Sequence, residues 1–523
     1  MAGGLANLRS RGDGSNRVII TASIMAATLM NSLDTTIANV ALPHIQGSVS
    51  ASQDQITWVL TSYIVAAAIM TPLTGWLAGR IGRKLVFLVS IGGFTFASAL
   101  CGIANSLPEI VIFRLLQGLF GAALIPLSQA VLLDINPPEQ QGQAMALWGA
   151  GAILGPILGP ALGGYLTDNL SWRWVFYINL PIGILAFLGV FLFIKEQKRE
   201  NHRPFDFFGF ATLAVAIGAF QLMLDRGQTQ DWFNSTEVQI EAVLAALAFY
   251  LFLVQVTTAK RPFVDIAMFK NANFVIACTF GFFIGVLLFS SLALLPPFME
   301  NLLGYSVVTT GLVSMPRGIG SFISMFAVGQ LIGRVDVRLI LFSGLVLSAI
   351  AVWEMSHFTI VMSSMPIIVS GVLQGLGTGL IFVPLSTLAF STIPVVMRTE
   401  AAGFYTLIRN IGSSAGISIM TALLSRNSNI LHSSMVEHVT PDNPLAHPPF
   451  IAPLLNFTSQ VGLARLDGLV NQQATMVAYV DDFRLMLWIT LFAMPMLLIM
   501  RPPKRMKSAD APAEPADTHA AFE

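Results

Sequence analysis

Four charged side chains stand inside long apolar runs: Asp34 in NSLDTTIANVALP (31–43), Arg114 at the head of RLLQGLFGAALIPL (114–127), Arg317 directly after Pro316, and Arg409 in LIRNIGSSAG (407–416). A charge in a membrane interior is costly unless it is paired or wet, so a functional role is the default reading. Asp34 lies about five residues outward from the centre of its run, about 7 Å at helical rise. Arg114 lies about six residues, about 9 Å, outward on a run of opposite direction. The two can therefore share a level and pair where their segments are neighbours. Burial disfavours a carboxylate and an adjacent guanidinium favours it. A site balanced between the two can take up a proton on one side and release it on the other, with Arg114 controlling the affinity. A permanent structural ion pair is the rival reading. Arg317 and Arg409 either bind exposed helix carbonyls or, as one acid against three arginines, make the buried region net positive. That character favours lipophilic neutral or weakly acidic compounds over dications. Asn31, Trp148, Met315 and Phe382 join Arg317 and Arg409 as candidate cavity lining; contact with lipid or another helix explains the first four equally well.

The elements that must position these residues are apolar helices. Of 523 residues, 54% are hydrophobic and 11% charged, and the mean hydropathy is +0.72. Soluble domains carry roughly a quarter charged residues, so a water-soluble enzyme is excluded. Stretches long enough to cross a ~30 Å hydrocarbon core fall near 18–40, 57–78, 85–105, 109–132, 143–165, 173–194, 207–224, 240–258, 274–298, 308–331, 338–358, 365–391, 401–424 and 484–500, fourteen in all. Twenty of the 28 Lys and Arg then gather on one side, five on the other, and three inside spans. This asymmetry puts both termini in the cytoplasm. The polar leader 1–17 lacks a small-residue cleavage site, so the first run reads as a retained span. One connection is long, 425–483 on the outer side. Its centre VTPDNPLAHPPFIAP resists regular structure, while its flank LARLDGLVNQQATMVAYVDDF has helical, amphipathic spacing. The tail 501–523 is expected to be disordered. Cys101 and Cys278 offer no disulfide scaffold or metal site. The absence of a GxxxxGK[ST] phosphate loop argues against ATP hydrolysis within this chain, and no cofactor is expected. GLGTG (375–379) lies in a span and reads as close helix packing.

The chain resembles itself at an offset of about 255 residues. GWLAGRIGRKLVFLVS (75–90) aligns with GQLIGRVDVRLILFSG (329–344), LQGLFGAALIPLS (116–128) with LQGLGTGLIFVPLS (373–386), and Gly155 and Gly159 with Gly412 and Gly416. Both copies of the first match follow the second span of a six-span unit, so the halves are parallel repeats. The expected fold is an all-α polytopic membrane protein: a bundle over 18–194, a linker with two inserted spans over 195–273, and a second bundle over 274–500. Two such halves around a midplane cavity suit alternating access. Gly371 stands where the first half has Arg114, so that charge is kept on one side only.

These motifs together resemble those of the major facilitator superfamily, and more closely the fourteen-span drug:proton antiporters of the EmrB/QacA type, on the EmrB side. LDTTIANVALP (33–43) is similar to the group's first-span signature. GWLAGRIGRK (75–84), with Gly75, Arg80, Gly82 and Arg83, resembles the superfamily loop motif. RLLQGLFGAALIPL, with Gln117 and Gly118, resembles the fourth-span motif, and GAGAILGPILGPALGG (149–164), with Gly155, Pro156, Gly159 and Pro160, the antiporter signature. LMLDRGQTQDWF (222–233) adds to the likeness. The glycines at every fourth position make a groove for a neighbouring helix. The prolines remove backbone hydrogen bonds and favour a bend or seal shaping the transport path. The loop motif implies a latch between spans 2 and 11, but Gly79 replaces the usual aspartate, so the loop reads as structural or gating. The resemblance implies a proton-driven exporter of hydrophobic compounds in a bacterial inner membrane. It further implies a periplasmic adaptor and an outer-membrane duct as partners, with 425–483 a candidate docking surface. Nothing points to nucleic acid. A dedicated exporter of one metabolite or siderophore is an alternative, as is a receptor or scaffold that has lost transport.

Overall fold

The computed structural model describes residues 2–137, 140–194, 204–260, 262–332, 334–391, 393–394, 397–440, 459–498 and 500. The first half comprises α1 (Ala2–Val49), α2 (Gln53–Ile56), α3 (Trp58–Met70), α4 (Leu73–Ile81), α5 (Arg83–Ile103), α6 (Leu107–Gly121), α7 (Leu124–Ile135), α8 (Gln141–Asn169), α9 (Trp174–Tyr177) and α10 (Asn179–Phe193). Two helices follow, α11 (Phe207–Arg226) and α12 (Thr236–Thr258). The second half has α13 (Ala272–Pro297), α14 (Val307–Leu331), α15 (Val337–Met355), α16 (Met365–Ser391), α17 (Arg398–Val436) and α18 (Gln460–Ala493). Helices dominate because lipid leaves no water to satisfy an exposed backbone.

Among the described residues, twelve helices are long and apolar enough to cross a membrane, and a thirteenth if α3 and α4 count as one span bent by 56°. The bend falls at Thr71–Pro72, where proline supplies no N–H to continue the ladder. The protein is thus a multi-pass membrane protein. The fourteenth expected span, 484–500, begins in the last turns of α18, a helix of 34 residues that ends at Ala493, whose start is polar and which carries Asp481, Asp482 and Arg484. The described residues of the connection 425–483 are largely helical: α17 runs on to Val436 and α18 begins at Gln460. At 39 residues, α17 is about 58 Å long, well beyond a ~30 Å core. The two extensions bond to each other through Ser428 and Thr475 at 2.9 Å and through His432 and Asp467 at 2.9 Å. The amphipathic flank therefore pairs with its neighbour, which a linear reading of the connection missed. Segment 1–17 is part of the same helix as the first span, since α1 is continuous from Ala2. Most of the Pro-rich centre, 441–458, and the tail 501–523 lie outside the described residues.

The repeat is visible in the packing. In the first half α1 packs on α8, α3 on α6 and α5 on α6; in the second, α13 packs on α17, α14 on α16 and α15 on α16. The halves meet where α8 lies against α14 and α16, and where α17 lies against α4 and α7. The inserted α11 packs on α12 and α3 and touches α17, with Gln221 Nε2 donating to Ser414 Oγ at 2.9 Å.

At the face bearing the loop motif, Gly82 joins α4 to α5 with φ +97°, a conformation that favours glycine. Arg80 lies 5.5 Å over the Trp76 ring. Arg83 bonds Asp134 at the end of α7, and Arg398 in the first turn of α17 reaches the same carboxylate at 3.3 Å. Gly75 lets α4 approach α17 closely: a Cβ there would lie 2.6 Å from Glu400 Cα. The carboxylate linking the halves at this face thus comes from the fourth span, not from the position Gly79 occupies.

Candidate functional site

Asp34 is held where it is by the contact of α1 with α8. Cβ atoms at Gly155 and Gly159 would fall 2.6 Å from Leu33 N and 2.2 Å from Thr36 Oγ1. The glycine row is therefore the seat of the helix that carries Asp34. α8 runs as one helix through Pro156 and Pro160, and Thr36 Oγ1 donates to the Gly155 carbonyl at 3.3 Å.

The Asp34 carboxylate is fully buried and Arg114 is 1% exposed. Arg114 Nη1 donates to Asp34 Oδ2 at 2.6 Å, while Gln117 Nε2 and Asn179 Nδ2 donate to Oδ1 at 2.8 and 3.0 Å. Arg114 Nη1 also donates to Gln117 Oε1 at 2.8 Å, and its Nε to the Val59 carbonyl at 3.1 Å. Its guanidinium lies 4.3 Å over the Tyr63 ring and 5.8 Å over that of Phe176. Gln117 and Arg114 are three residues apart and so share a face of α6. Sequence motifs grouped Gln117 with gating elements; it sits on the carboxylate. Asn179 was missed, although a polar residue before Pro181 at the head of an apolar run was a usable signal. It also donates to Ser98 Oγ at 3.0 Å. Asn31, one turn before Asp34, donates to Tyr63 Oη at 3.0 Å and so steadies the ring under the guanidinium. Gly118 allows α6 to close on α3, since a Cβ would lie 2.3 Å from the Tyr63 carbonyl.

A second group lies between the halves. The Trp148 and Phe382 rings stack at 5.8 Å and 13°, and the Arg409 guanidinium lies 5.5 Å over the Phe382 ring. Trp148 Nε1 donates to Thr28 Oγ1 on α1 at 3.1 Å, and Thr28 Oγ1 donates to Ser128 Oγ at 3.0 Å. The methionine beside this group is Met325, fully buried, whose Sδ would lie 3.1 Å from a Cβ at Gly149. Met315 is half-buried further along α14.

Arg317 stands apart from that row. Its Nη1 donates to Ser291 Oγ at 3.2 Å and its Nη2 to the Leu288 carbonyl at 3.3 Å, while Ser291 Oγ donates to Gln374 Oε1 at 2.9 Å. A Cβ at Gly371 would lie 3.5 Å from Arg317 Cβ. The space left where the second half lacks an Arg114 is therefore adjoined by an arginine from a different helix. Gln374, the repeat partner of Gln117, serves it. The charge that the aligned position had lost is supplied from α14. Asp482 also escaped the sequence reading: it is 1% exposed on α18, and its Oδ2 has no partner among the described residues.

The family model described as Major Facilitator Superfamily matches residues 24–417. The chain is 37% identical over 436 residues to the multidrug export protein EmrB of Escherichia coli K12, covering 83% of this chain and 85% of that one. It is 35% identical over 432 residues to the fatty acid resistance protein FarB of Neisseria gonorrhoeae, covering 82% and 85%. Among solved structures it is similar in fold to the proton:xylose symporter XylE, with a TM-score of 0.61 at 14% identity over 94% of this chain and 97% of that one. The chain belongs to the Major Facilitator Superfamily, with EmrB-type multidrug export proteins among its relatives.

Proposed function

We propose that this protein is a proton-driven exporter of hydrophobic toxic compounds, in which Asp34 carries the proton and Arg114 governs its release. One observation carries the reading: a carboxylate and a guanidinium, both out of contact with solvent, bonded at 2.6 Å within a membrane bundle. Three donors converge on Asp34. Protonation requires that the Arg114–Asp34 bond be broken, and the guanidinium then keeps the partners it already has in the Val59 carbonyl, Gln117 Oε1 and two ring faces. Opening of the halves at Trp148 and Phe382 reaches α1 through the Trp148–Thr28 bond. The compound and the proton thereby act on one helix. The basic face is taken as cytoplasmic, and the Asp134–Arg398 contact closes it while the opposite face admits protons.

The membrane is the bacterial inner membrane, both termini are cytoplasmic, and the gradient replaces any cofactor. Names of relatives that denote multidrug export and fatty acid resistance support the compound class. A periplasmic adaptor and an outer-membrane channel complete the route, with the paired ends of α17 and α18 as the docking surface. The test uses purified protein in proteoliposomes under an imposed pH gradient. Wild type is expected to couple flux to proton movement and Asp34→Asn to lose that coupling; wild-type stoichiometry in Asp34→Asn overturns the proton-carrier role.

A further inference from the structure

Of the three arginines buried in the bundle, Arg114 meets a carboxylate and Arg317 meets a hydroxyl and a carbonyl. Arg409 differs: it is 8% exposed, its Nε is buried without a partner, and among the described residues no hydrogen bond or ion pair engages its side chain. Its backbone is fixed, since its carbonyl lies 2.3 Å from where a Gly285 Cβ would be and accepts from Ser413 Oγ at 3.1 Å. The side chain is therefore held between the halves with its charge unmatched. Removing a charged donor from water without a partner costs more than any single neutral hydrogen bond returns. Its guanidinium lies over an aromatic face that continues into Trp148 from the other half, with the Tyr405 side chain also close by.

We propose that Arg409 is the charge-selecting seat of the transport cavity: it takes the single anionic group of a compound whose aromatic body lies against Phe382 and Trp148. This rests on the export reading and adds to it which side chain reads the cargo's charge. The guanidinium fork supplies paired donors to a carboxylate or sulfonate, and the bound anion supplies the charge that Asp34 supplies in the first half. Because Phe382 and Arg409 belong to α16 and α17 while Trp148 belongs to α8, the seat opens when the halves part. A neutral compound with the same body keeps the ring contacts and forgoes the fork. A cation meets an uncompensated like charge.

The test uses two probes with the same body, anilinonaphthalenesulfonate and uncharged phenylnaphthylamine. Their binding to the full chain in detergent micelles is measured alongside gradient-driven flux in proteoliposomes. Arg409→Gln is expected to weaken the sulfonate about tenfold or more, the loss of a charge-assisted hydrogen bond, and to leave the uncharged probe within about twofold. Arg409→Lys retains most of the preference for the anion. Equal weakening of both probes, or an unchanged sulfonate affinity, overturns the proposal. Should Arg409→Gln fail to fold, Arg409→Met is read by the same affinity ratio. The wild type also provides a check: saturating sulfonate must raise its melting temperature more than the uncharged probe does, and an equal or smaller rise overturns the seat. Arg409-dependent sulfonate binding without gradient-driven flux would sink the exporter reading and leave this seat standing. Driven flux with no change in the probe ratio would sink the seat alone.

Discussion

Replacing Arg114 by Gln probes the Asp34 site most directly. It removes the 2.6 Å bond to Asp34 Oδ2 and leaves a fully buried carboxylate with two neutral donors, Gln117 and Asn179. Breaking one side of a buried ion pair costs about 3–5 kcal/mol. Asp34→Asn is the milder change, because the stranded guanidinium keeps Val59 O, Gln117 Oε1 and the faces of Tyr63 and Phe176. A desolvated cation over a ring recovers about 2 kcal/mol. The double variant Asp34→Asn/Arg114→Gln buries no net charge and refills the site with amides, so its destabilisation should not exceed that of Arg114→Gln alone. The resulting coupling energy is then at least the cost of Asp34→Asn alone, about 1–3 kcal/mol. The assay is equilibrium unfolding of each purified variant by SDS in mixed micelles, with proton-coupled flux in proteoliposomes as the second readout. All three variants should lose coupling, whereas stability should be partly restored only in the double. Additivity of the two single costs within about 0.5 kcal/mol would refute the claim that the residues form one energetic unit.

Other sites lend themselves to the same treatment. Gly75→Ala puts a Cβ 2.6 Å from Glu400 Cα, so the closed arrangement at the basic face should be disfavoured and a cysteine placed in α4 should label faster; unchanged labelling counts against a close-approach role. Asp134→Asn weakens contacts to both Arg83 and Arg398, whereas Arg398→Gln removes only the bridge between halves. Spin-label distances across that face should therefore widen in both variants, and equal closure in Arg398→Gln would show that the bridge holds nothing. Trp148→Phe keeps a ring against Phe382 and deletes the 3.1 Å bond to Thr28, a loss of about 1 kcal/mol. Probe binding should stay within severalfold while the ratio of protons to cargo falls, and an unchanged ratio argues against a link through Thr28.

The departures between sequence and structure have a common origin. The apolar runs and the basic asymmetry are properties of consecutive residues, and lipid converts such runs into helices. Thus the spans from 85–105 to 401–424 fall on helices, and the repeat of GWLAGRIGRK with GQLIGRVDVR reappears as matched helix pairs. The last span also falls on a helix, but α18 combines a polar, paired half with an apolar half, so it is not among the helices apolar enough overall to count as a crossing.

By itself, the sequence determined that the chain is a membrane-spanning helical repeat with an acid and three arginines buried in it, because hydropathy and charge act along the chain. Only the tertiary structure decided what those charges touch. Gln117 and Asn179 close on Asp34, Arg317 comes from α14 beside the gap at Gly371, Asp134 reaches Arg398 in the other half, and Arg409 has no hydrogen-bond acceptor among the described residues. Each of these depends on the rotation and register of one helix against another. Those are set by close contacts such as Gly155 on Leu33 and Gly375 on the Arg317 carbonyl, which join residues from about 60 to 120 positions apart and which no local pattern encodes.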